Sequence, residues 1–131
     1  MRIRQHVNPL KSDLLDLLDA ALEGKLASAE ADWDRHCALG VVLAAHGYPE
    51  EPRKGDRIEG LPKPAAECRV FHAGTRTEGK AVVTNGGRVL CVTALGDALR
   101  MARTRAYEAI EGIRFDGMQF RKDIGHRALK K

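Results

Sequence analysis

The stretch VFHAGTRTEGKAVVTNGGRVLCVTALG, residues 70–96, constrains the fold more than any other part of this sequence. Short apolar runs rich in β-branched residues alternate there with small-residue turns, which is the pattern of paired strands. We predict strands over 67–72, 80–84 and 88–94. The last two are separated by Asn85-Gly86-Gly87, and because Asn and Gly tolerate positive φ, this tripeptide predicts a hairpin turn.

Two amphipathic helices are predicted, one before and one after these strands. The segment KSDLLDLLDAALEGK spaces its leucines every three or four residues, with Ser12 or Asp13 as the cap and Gly24 as the stop. Such a helix needs a surface to cover its apolar face. The segment GDALRMARTRAYEAIEGI repeats the pattern, with Asp97 as the expected cap.

Between the first helix and the strands lies a continuous apolar run over 38–45. Such a run fits a strand that is covered on both faces. A buried helix is the alternative, which Gly40 and the pair Val41-Val42 disfavour. Residues 49–64 are rich in Pro, Gly and charge and predict an irregular, mobile surface loop. The predicted fold class is therefore α+β, a small antiparallel sheet or half-barrel flanked by two helices.

The bulk composition narrows the class of partner. A length of 131 residues predicts one domain. Its net charge of +4 is modest and its aromatic content is 5%, which disfavours nucleic-acid binding and favours a small anionic ligand. The longest apolar run is too short to cross a bilayer. Three widely spaced cysteines indicate reduced thiols and a cytoplasmic protein, with no paired spacing for a metal site.

Two turns carry a candidate anion site. Ala73-Gly74-Thr75-Arg76 and Asn85-Gly86-Gly87-Arg88 each place small residues beside a cation. Glycine lets a ligand approach the main chain, successive N–H groups attract anions, and the guanidinium of Arg88 matches two phosphate oxygens. From the residues alone, an ordinary structural turn remains the alternative.

Five blocks of the sequence resemble the carboxyl-terminal part of the phosphoribosylamine–glycine ligase family, also called glycinamide ribonucleotide synthetase, in the ATP-grasp group. They are KSDLLDLLDAALEGKL, LGVVLAAHGYPEEPRKGDRIEGL, VFHAGT, VTNGGRVLCVTALGDAL and IRFDGMQFRKDIGHRAL, in the family's order. The resemblance implies a carboxyl-terminal domain of the rudiment hybrid-motif type over 10–131 and a segment unrelated to the family over 1–9.

Members of this family form glycinamide ribonucleotide from 5-phosphoribosylamine, glycine and ATP in purine biosynthesis, with Mg²⁺ and a glycyl phosphate intermediate. Turns in related ATP-grasp enzymes of purine synthesis hold the substrate phosphate. The resemblance therefore implies that role, and no catalytic or metal-binding role, for six residues of this sequence: His72, Gly74, Thr75, Gly86, Gly87 and Arg88.

The family's nucleotide-clamping strands, its metal-binding Glu-x-Asn pair and its Arg-Phe-Gly-Asp-Pro-Glu loop all precede the first helix, and this chain reads MRIRQHVNPL there. We therefore expect no cofactor in this chain, with ATP and Mg²⁺ bound only by the complete enzyme. The chain alone is expected not to catalyse ligation, and its first nine residues suggest a split gene, a frame shift or a misplaced start.

The expected partners are a weakly bound phosphorylated small molecule and the amino-terminal and ATP-grasp domains, with no nucleic acid and no membrane. The alternative reading is a free-standing, non-catalytic module that binds a phosphorylated small molecule or a partner chain.

Overall fold

The computed structural model describes residues 9–129 and the backbone of residues 6–7. The predicted segment 1–9 and the final basic residues 130–131 thus lie largely outside the described residues. Within them, strands and helices combine in an α+β fold, as predicted. The strands are β1 (His6–Val7), β2 (Cys37–Ala44), β3 (Arg57–Ile58), β4 (Cys68–His72), β5 (Thr75–Glu78), β6 (Ala81–Thr84) and β7 (Arg88–Gly96). The helices are α1 (Leu14–Leu22), α2 (Leu99–Glu111) and α3 (His126–Leu129), and a 3₁₀ turn spans Leu26–Ser28.

The strands form two antiparallel sheets, ordered β1-β2-β7-β4 and β3-β6-β5. This order contradicts the hairpin that Asn85-Gly86-Gly87 predicts, because β6 and β7 lie in different sheets. The hairpin joins β5 to β6 instead, and it turns at Gly79 with φ +59°. The connections β4–β5 and β6–β7 both carry the chain from one sheet to the other.

The hydrophobic core lies between the four-stranded sheet and α2. Alternate residues of β2 and β7 point into it and are fully buried, and α2 contributes residues at spacings of three and four, namely Leu99, Ala102, Ala106 and Ile110. The strand predicted over 38–45 is confirmed, but its predicted cover on both faces is wrong. Gly40 and Val42, on the opposite face of β2, remain half-buried. One face of this sheet is therefore open among the described residues.

Helix α1 forms where it was predicted, yet it contributes nothing to the core. The Asp13 carboxylate caps it by accepting a hydrogen bond from the Leu15 N–H at 2.8 Å. None of its residues is buried, and Leu18 and Leu22 are 51% and 87% exposed. A bridge between Leu10 and Trp33 joins the chain before the helix to the chain after it. The apolar face of α1 thus has no cover in the described part of this chain.

Helix α2 begins without the cap that Asp97 was predicted to supply. The N-cap position is Ala98, and no side chain bonds to the first turn. The Asp97 carboxylate lies instead 3.2 Å from Nε2 of His36, whose Nδ1 lies 2.5 Å from Asp34. The His36 backbone N–H donates to the Asp34 carboxylate and, with the ring, lowers the pKa of that carboxyl. A long-range contact with the His36 ring has therefore replaced the local cap.

In the described part of the chain, no helix has both the length and the apolar character that crossing a membrane requires.

Candidate functional site

The two turns that the sequence singled out lie against each other. Gly74 donates its N–H to the Arg88 carbonyl at 2.8 Å, and Asn85 donates to the Gly74 carbonyl at 2.7 Å. A Cβ added to Gly74 would lie 2.7 Å from the Arg88 carbonyl oxygen and 2.9 Å from the Gly86 Cα. Glycine is therefore required at position 74 because two backbones touch there.

The close contact between the two backbones, and not positive φ, explains the glycines of these turns. The predicted hairpin called for positive φ, but none of Gly74, Gly86 and Gly87 has a positive φ. Both connections bend at this point as they pass between the two sheets. The two connections form a paired bend, in which residues 73–76 lie against residues 85–88. Glycine is needed where the two backbones come too close for a side chain.

The paired bend brings the six predicted phosphate-binding residues into one region, at the ends of β4, β5 and β7. His72 Nδ1 lies 3.1 Å from the Thr75 hydroxyl. A cleft of about 500 Å³ opens beside the bend and is lined by Val42, Ala73, Gly87, Arg88, Leu90 and Cys91. Of the six predicted residues, Gly87 and Arg88 line this cleft, and the other four do not. The region thus offers space as well as polar groups.

Three donor groups at the bend, two backbone amides and one guanidinium, have no partner among the described residues. The N–H groups of Gly86 and Gly87 have no acceptor among the described residues. The exposed guanidinium of Arg88 forms no ion pair with any residue that the structure describes. Two successive free amides beside a free cation are suited to an anion, and the planar guanidinium adds two parallel donors.

A larger cleft of about 590 Å³ lies elsewhere, between α2 and the carboxyl-terminal residues. It contains none of the predicted site residues. Its Arg103 is already engaged, since it donates to the carbonyls of Ile124 and Lys122 and lies over the ring of Tyr107. The side chains Glu108 and Glu111 also line it. Its second arginine, Arg114, donates to the Ile113 carbonyl at 2.8 Å. This cleft is the weaker candidate for an anion because its charges are mixed and both of its arginines already bond backbone carbonyls.

Sequence reasoning missed the residues that hold the bend from its other side. The ring of Tyr48 packs on Gly87, where an added Cβ would lie 2.4 Å from the Tyr48 Cδ2. Ala45 donates its N–H to the Gly87 carbonyl at 2.9 Å. No local signal marks Tyr48, because the contact depends on how β2 and β7 pair.

Thr84 is the one polar side chain that is buried among the described residues. Its hydroxyl accepts the Asp56 N–H at 3.0 Å, and its backbone bonds Gly55 and Asp56. Arg53 joins Asp56 at 2.9 Å and Asp116 at 2.5 Å, and the bond to Asp56, followed by the one to Asp116, raises the pKa of the guanidinium. Residues 45–56, hereafter the 45–56 loop, are thus tied to both ends of the 84–87 turn. The predicted loop of 49–64 is irregular in this part but also contains β3.

The described residues include no group of three or more His, Cys, Asp or Glu side chains that could hold a metal ion. The three cysteines are free thiols, and burial raises the pKa of the Cys68 thiol.

Comparison with known proteins places this architecture in context. The family model described as "Phosphoribosylglycinamide synthetase, C domain" matches residues 38–127. The phosphoribosylamine–glycine ligase of Ralstonia nicotianae is 55% identical over 122 residues, which cover 93% of this chain and 29% of the relative. The corresponding ligase of Vibrio cholerae is 52% identical over 123 residues with the same coverage.

Among solved structures, the crystal structure of phosphoribosylamine–glycine ligase from Thermotoga maritima matches with a TM-score of 0.65 and 36% identity. The match covers 82% of this chain and 27% of that one. This chain therefore spans less than a third of the length of the relatives it matches.

Proposed function

We propose that this chain, which belongs to the phosphoribosylglycinamide synthetase C-domain family, supplies the substrate-phosphate site of a phosphoribosylamine–glycine ligase. The observation that carries the proposal is the paired bend, where Gly86 and Gly87, whose amides have no acceptor among the described residues, directly precede Arg88, whose guanidinium is exposed and forms no ion pair there. A phosphate monoester offers three oxygens and up to two negative charges, which match these donors.

In 5-phosphoribosylamine the phosphate is attached to C5 of the ribose, whereas the amine that is acylated is attached to C1. The phosphate therefore takes no part in the bond that forms. The two amides and Arg88 therefore hold the substrate equally in the ground and transition states. His72 and Thr75, already in contact with each other, lie on the same bend and complete its polar rim. Loss of these donors in a complete ligase raises KM for 5-phosphoribosylamine more than it lowers kcat.

We assign ATP and Mg²⁺ to a part of the ligase outside this chain, where they would convert the glycine carboxylate into an acyl phosphate. The described residues offer no cluster of carboxylates or imidazoles for a metal ion. The chain's own task in the proposal is to bind and orient the phosphorylated substrate. A cytoplasmic location is also proposed, supported by three free thiols of the kind that reducing compartments maintain.

The test is a titration of glycinamide ribonucleotide into the ¹⁵N-labelled protein, followed through backbone amide shifts. We expect a Kd from the high micromolar to the millimolar range, because one phosphate subsite acts alone. Shifts should cluster at the bend and vanish in Arg88→Ala. Arg100→Ala, which removes an exposed arginine from α2, is the matched control and should bind normally. A folded spectrum that ignores millimolar ligand contradicts the proposal.

We further propose that the uncovered face of α1 docks on the part of the ligase that precedes this segment in its relatives. The C-domain match begins at residue 38, beyond α1, whereas the similarity to complete ligases covers 93% of the chain and so includes α1. A helix of nine residues is marginal in water unless its apolar face is covered. The exposed leucines of α1 and the open face of the four-stranded sheet both fit this partner.

The docking test mixes this chain with a separately produced amino-terminal part of the Ralstonia nicotianae ligase, the part outside the 29% that matches. Sedimentation should detect a complex, and ligase activity should appear on mixing. Leu18→Asp should abolish both, while Arg100→Ala should leave both intact. If the chain instead pairs with itself through α1, or binds glycinamide ribonucleotide without ever forming the complex, the alternative of a free-standing binding module is favoured.

A further inference from the structure

The Tyr48 ring covers Gly87 at the paired bend, on a loop with no predicted role in binding. We propose that Tyr48 is a positioning residue that fixes the Gly86-Gly87 turn in the form that binds the substrate phosphate. The inference rests on the proposed function of the bend, which it deepens by naming what orders the site.

The contacts are tight at the Cα and at the carbonyl of Gly87. A Cβ at this position would lie 2.4 Å and 2.9 Å from two carbons of the Tyr48 ring and 3.3 Å from the Pro52 Cγ. The Gly87 carbonyl accepts the Ala45 N–H at 2.9 Å, and Ala45 in turn accepts the Tyr48 N–H at 3.2 Å. Tyr48 and Ala45 therefore hold both the Cα and the carbonyl of Gly87, and they leave its N–H free.

The neighbouring residue is held from the opposite side. A Cβ on Gly86 would lie 3.2 Å from the Gly74 Cα, and the Asn85 N–H bonds the Gly74 carbonyl at 2.7 Å. The turn thus lies between the 45–56 loop and the β4–β5 connection. If either the 45–56 loop or the β4–β5 connection no longer held the turn, Gly86 and Gly87 would regain their wide range of φ and ψ.

Order at the turn matters because free amides bind an anion well only when they already point toward it. If the turn visits the binding form for only a fraction of the time, the apparent Kd rises by the inverse of that fraction. A fall of that fraction to about one tenth weakens binding about tenfold. Arg88 alone then provides the remaining attraction.

The ring of Tyr48, not its hydroxyl, makes the contact. The hydroxyl has no hydrogen-bond partner among the described residues, and 39% of the residue is exposed. Tyr48→Phe should therefore preserve the order of the turn, whereas Tyr48→Ala should lose it. This pair separates the packing of the ring from any polar role.

The experiment measures ¹⁵N order parameters of Gly86 and Gly87 without ligand and then the Kd for glycinamide ribonucleotide. In the unmodified protein and in Tyr48→Phe, both amides should have order parameters near 0.85, and in Tyr48→Ala they should fall below about 0.6. Binding should weaken about tenfold in Tyr48→Ala alone. Arg88→Ala should abolish binding without changing the order parameters, which separates loss of a contact to the ligand from loss of order at the turn.

Gly87→Ala provides a second, independent route to the same contact, which matters if Tyr48→Ala folds poorly. The added Cβ should displace the Tyr48 ring and lower the order parameter of Gly86. In the double variant Tyr48→Ala, Gly87→Ala, the two shortest contacts of the Cβ are gone and the Pro52 Cγ at 3.3 Å remains, so the second substitution should add little to the first. Additive effects on stability, or order parameters that are unchanged in Tyr48→Ala, overturn the inference. If the unmodified protein binds no ligand, the proposed function fails, while the order parameters still decide the role of Tyr48.

Discussion

Replacement of Thr84 by Val tests how much one buried hydroxyl contributes to holding the 45–56 loop. The two side chains have nearly the same shape, so core volume is kept and only the hydrogen-bonding atom is lost. In the structure, Thr84 is fully buried and its hydroxyl lies 3.0 Å from the Asp56 nitrogen and 3.5 Å from the Arg53 carbonyl oxygen. Only the shorter bond is strong enough to count.

The substitution leaves the Asp56 N–H without its acceptor. Because an unsatisfied buried donor costs about 1–3 kcal/mol and Asp56 is only half-buried, we expect a loss of about 1–2 kcal/mol in the free energy of unfolding. Urea denaturation should show a lower midpoint with an unchanged slope. The melting temperature should fall by roughly 4 °C for each kcal/mol.

The control is Thr84→Ser, which keeps the hydroxyl and removes one methyl group. Its stability also falls, by about 1 kcal/mol, because buried apolar surface is lost. Amide hydrogen exchange separates the two variants. The Asp56 N–H should stay protected in the Ser variant and exchange rapidly in the Val variant. A Val variant that retains both its stability and the protection of Asp56 would refute this account of the loop.

Two further predictions concern the bend and the thiols. Gly74→Ala should lower the free energy of unfolding by about 1–3 kcal/mol and lower the urea midpoint, because its Cβ would lie 2.7 Å from the Arg88 carbonyl oxygen. The control Gly112→Ala, whose Cβ would meet nothing closer than 3.5 Å, should be nearly neutral, and equal losses of stability in the two variants would contradict the close approach at Gly74. Burial raises the pKa of the Cys68 thiol, so below pH 9 Cys68 holds less reactive thiolate than an ordinary cysteine. Alkylation of Cys68 should therefore be slow in the folded protein and faster in guanidinium, and equal rates in the two states would contradict the raised pKa.

The elements that were predicted correctly depend on short-range patterns. Helix α1 follows from leucine spacing and the Asp13 cap, and both β2 and α2 follow from apolar periodicity. The family followed from blocks of sequence in their order, and the match to the C-domain model over residues 38–127 confirms it. The helices and strands are predictable from sequence because the residue pattern of each lies within a few helical turns or one strand.

The elements that were predicted wrongly depend on distant partners. Asn85-Gly86-Gly87 carries the residues of a hairpin turn, but β6 and β7 pair with other strands and the glycines serve a close backbone contact. Asp97 stands where a cap belongs, yet a histidine from the segment before β2 binds it. The same residue types satisfy two geometries, and the sequence does not choose between them.

The sequence by itself determined the fold class and the positions of most helices and strands, and its resemblance to the family implied six residues for phosphate binding. Only the tertiary structure decided that these residues meet at a bend between two sheets, where Tyr48 packs on Gly87 and the 45–56 loop bonds the Thr84 hydroxyl. The physical reason is that strand pairing is a long-range choice made by the whole core. Local propensity fixes what a segment is, whereas packing fixes what it touches.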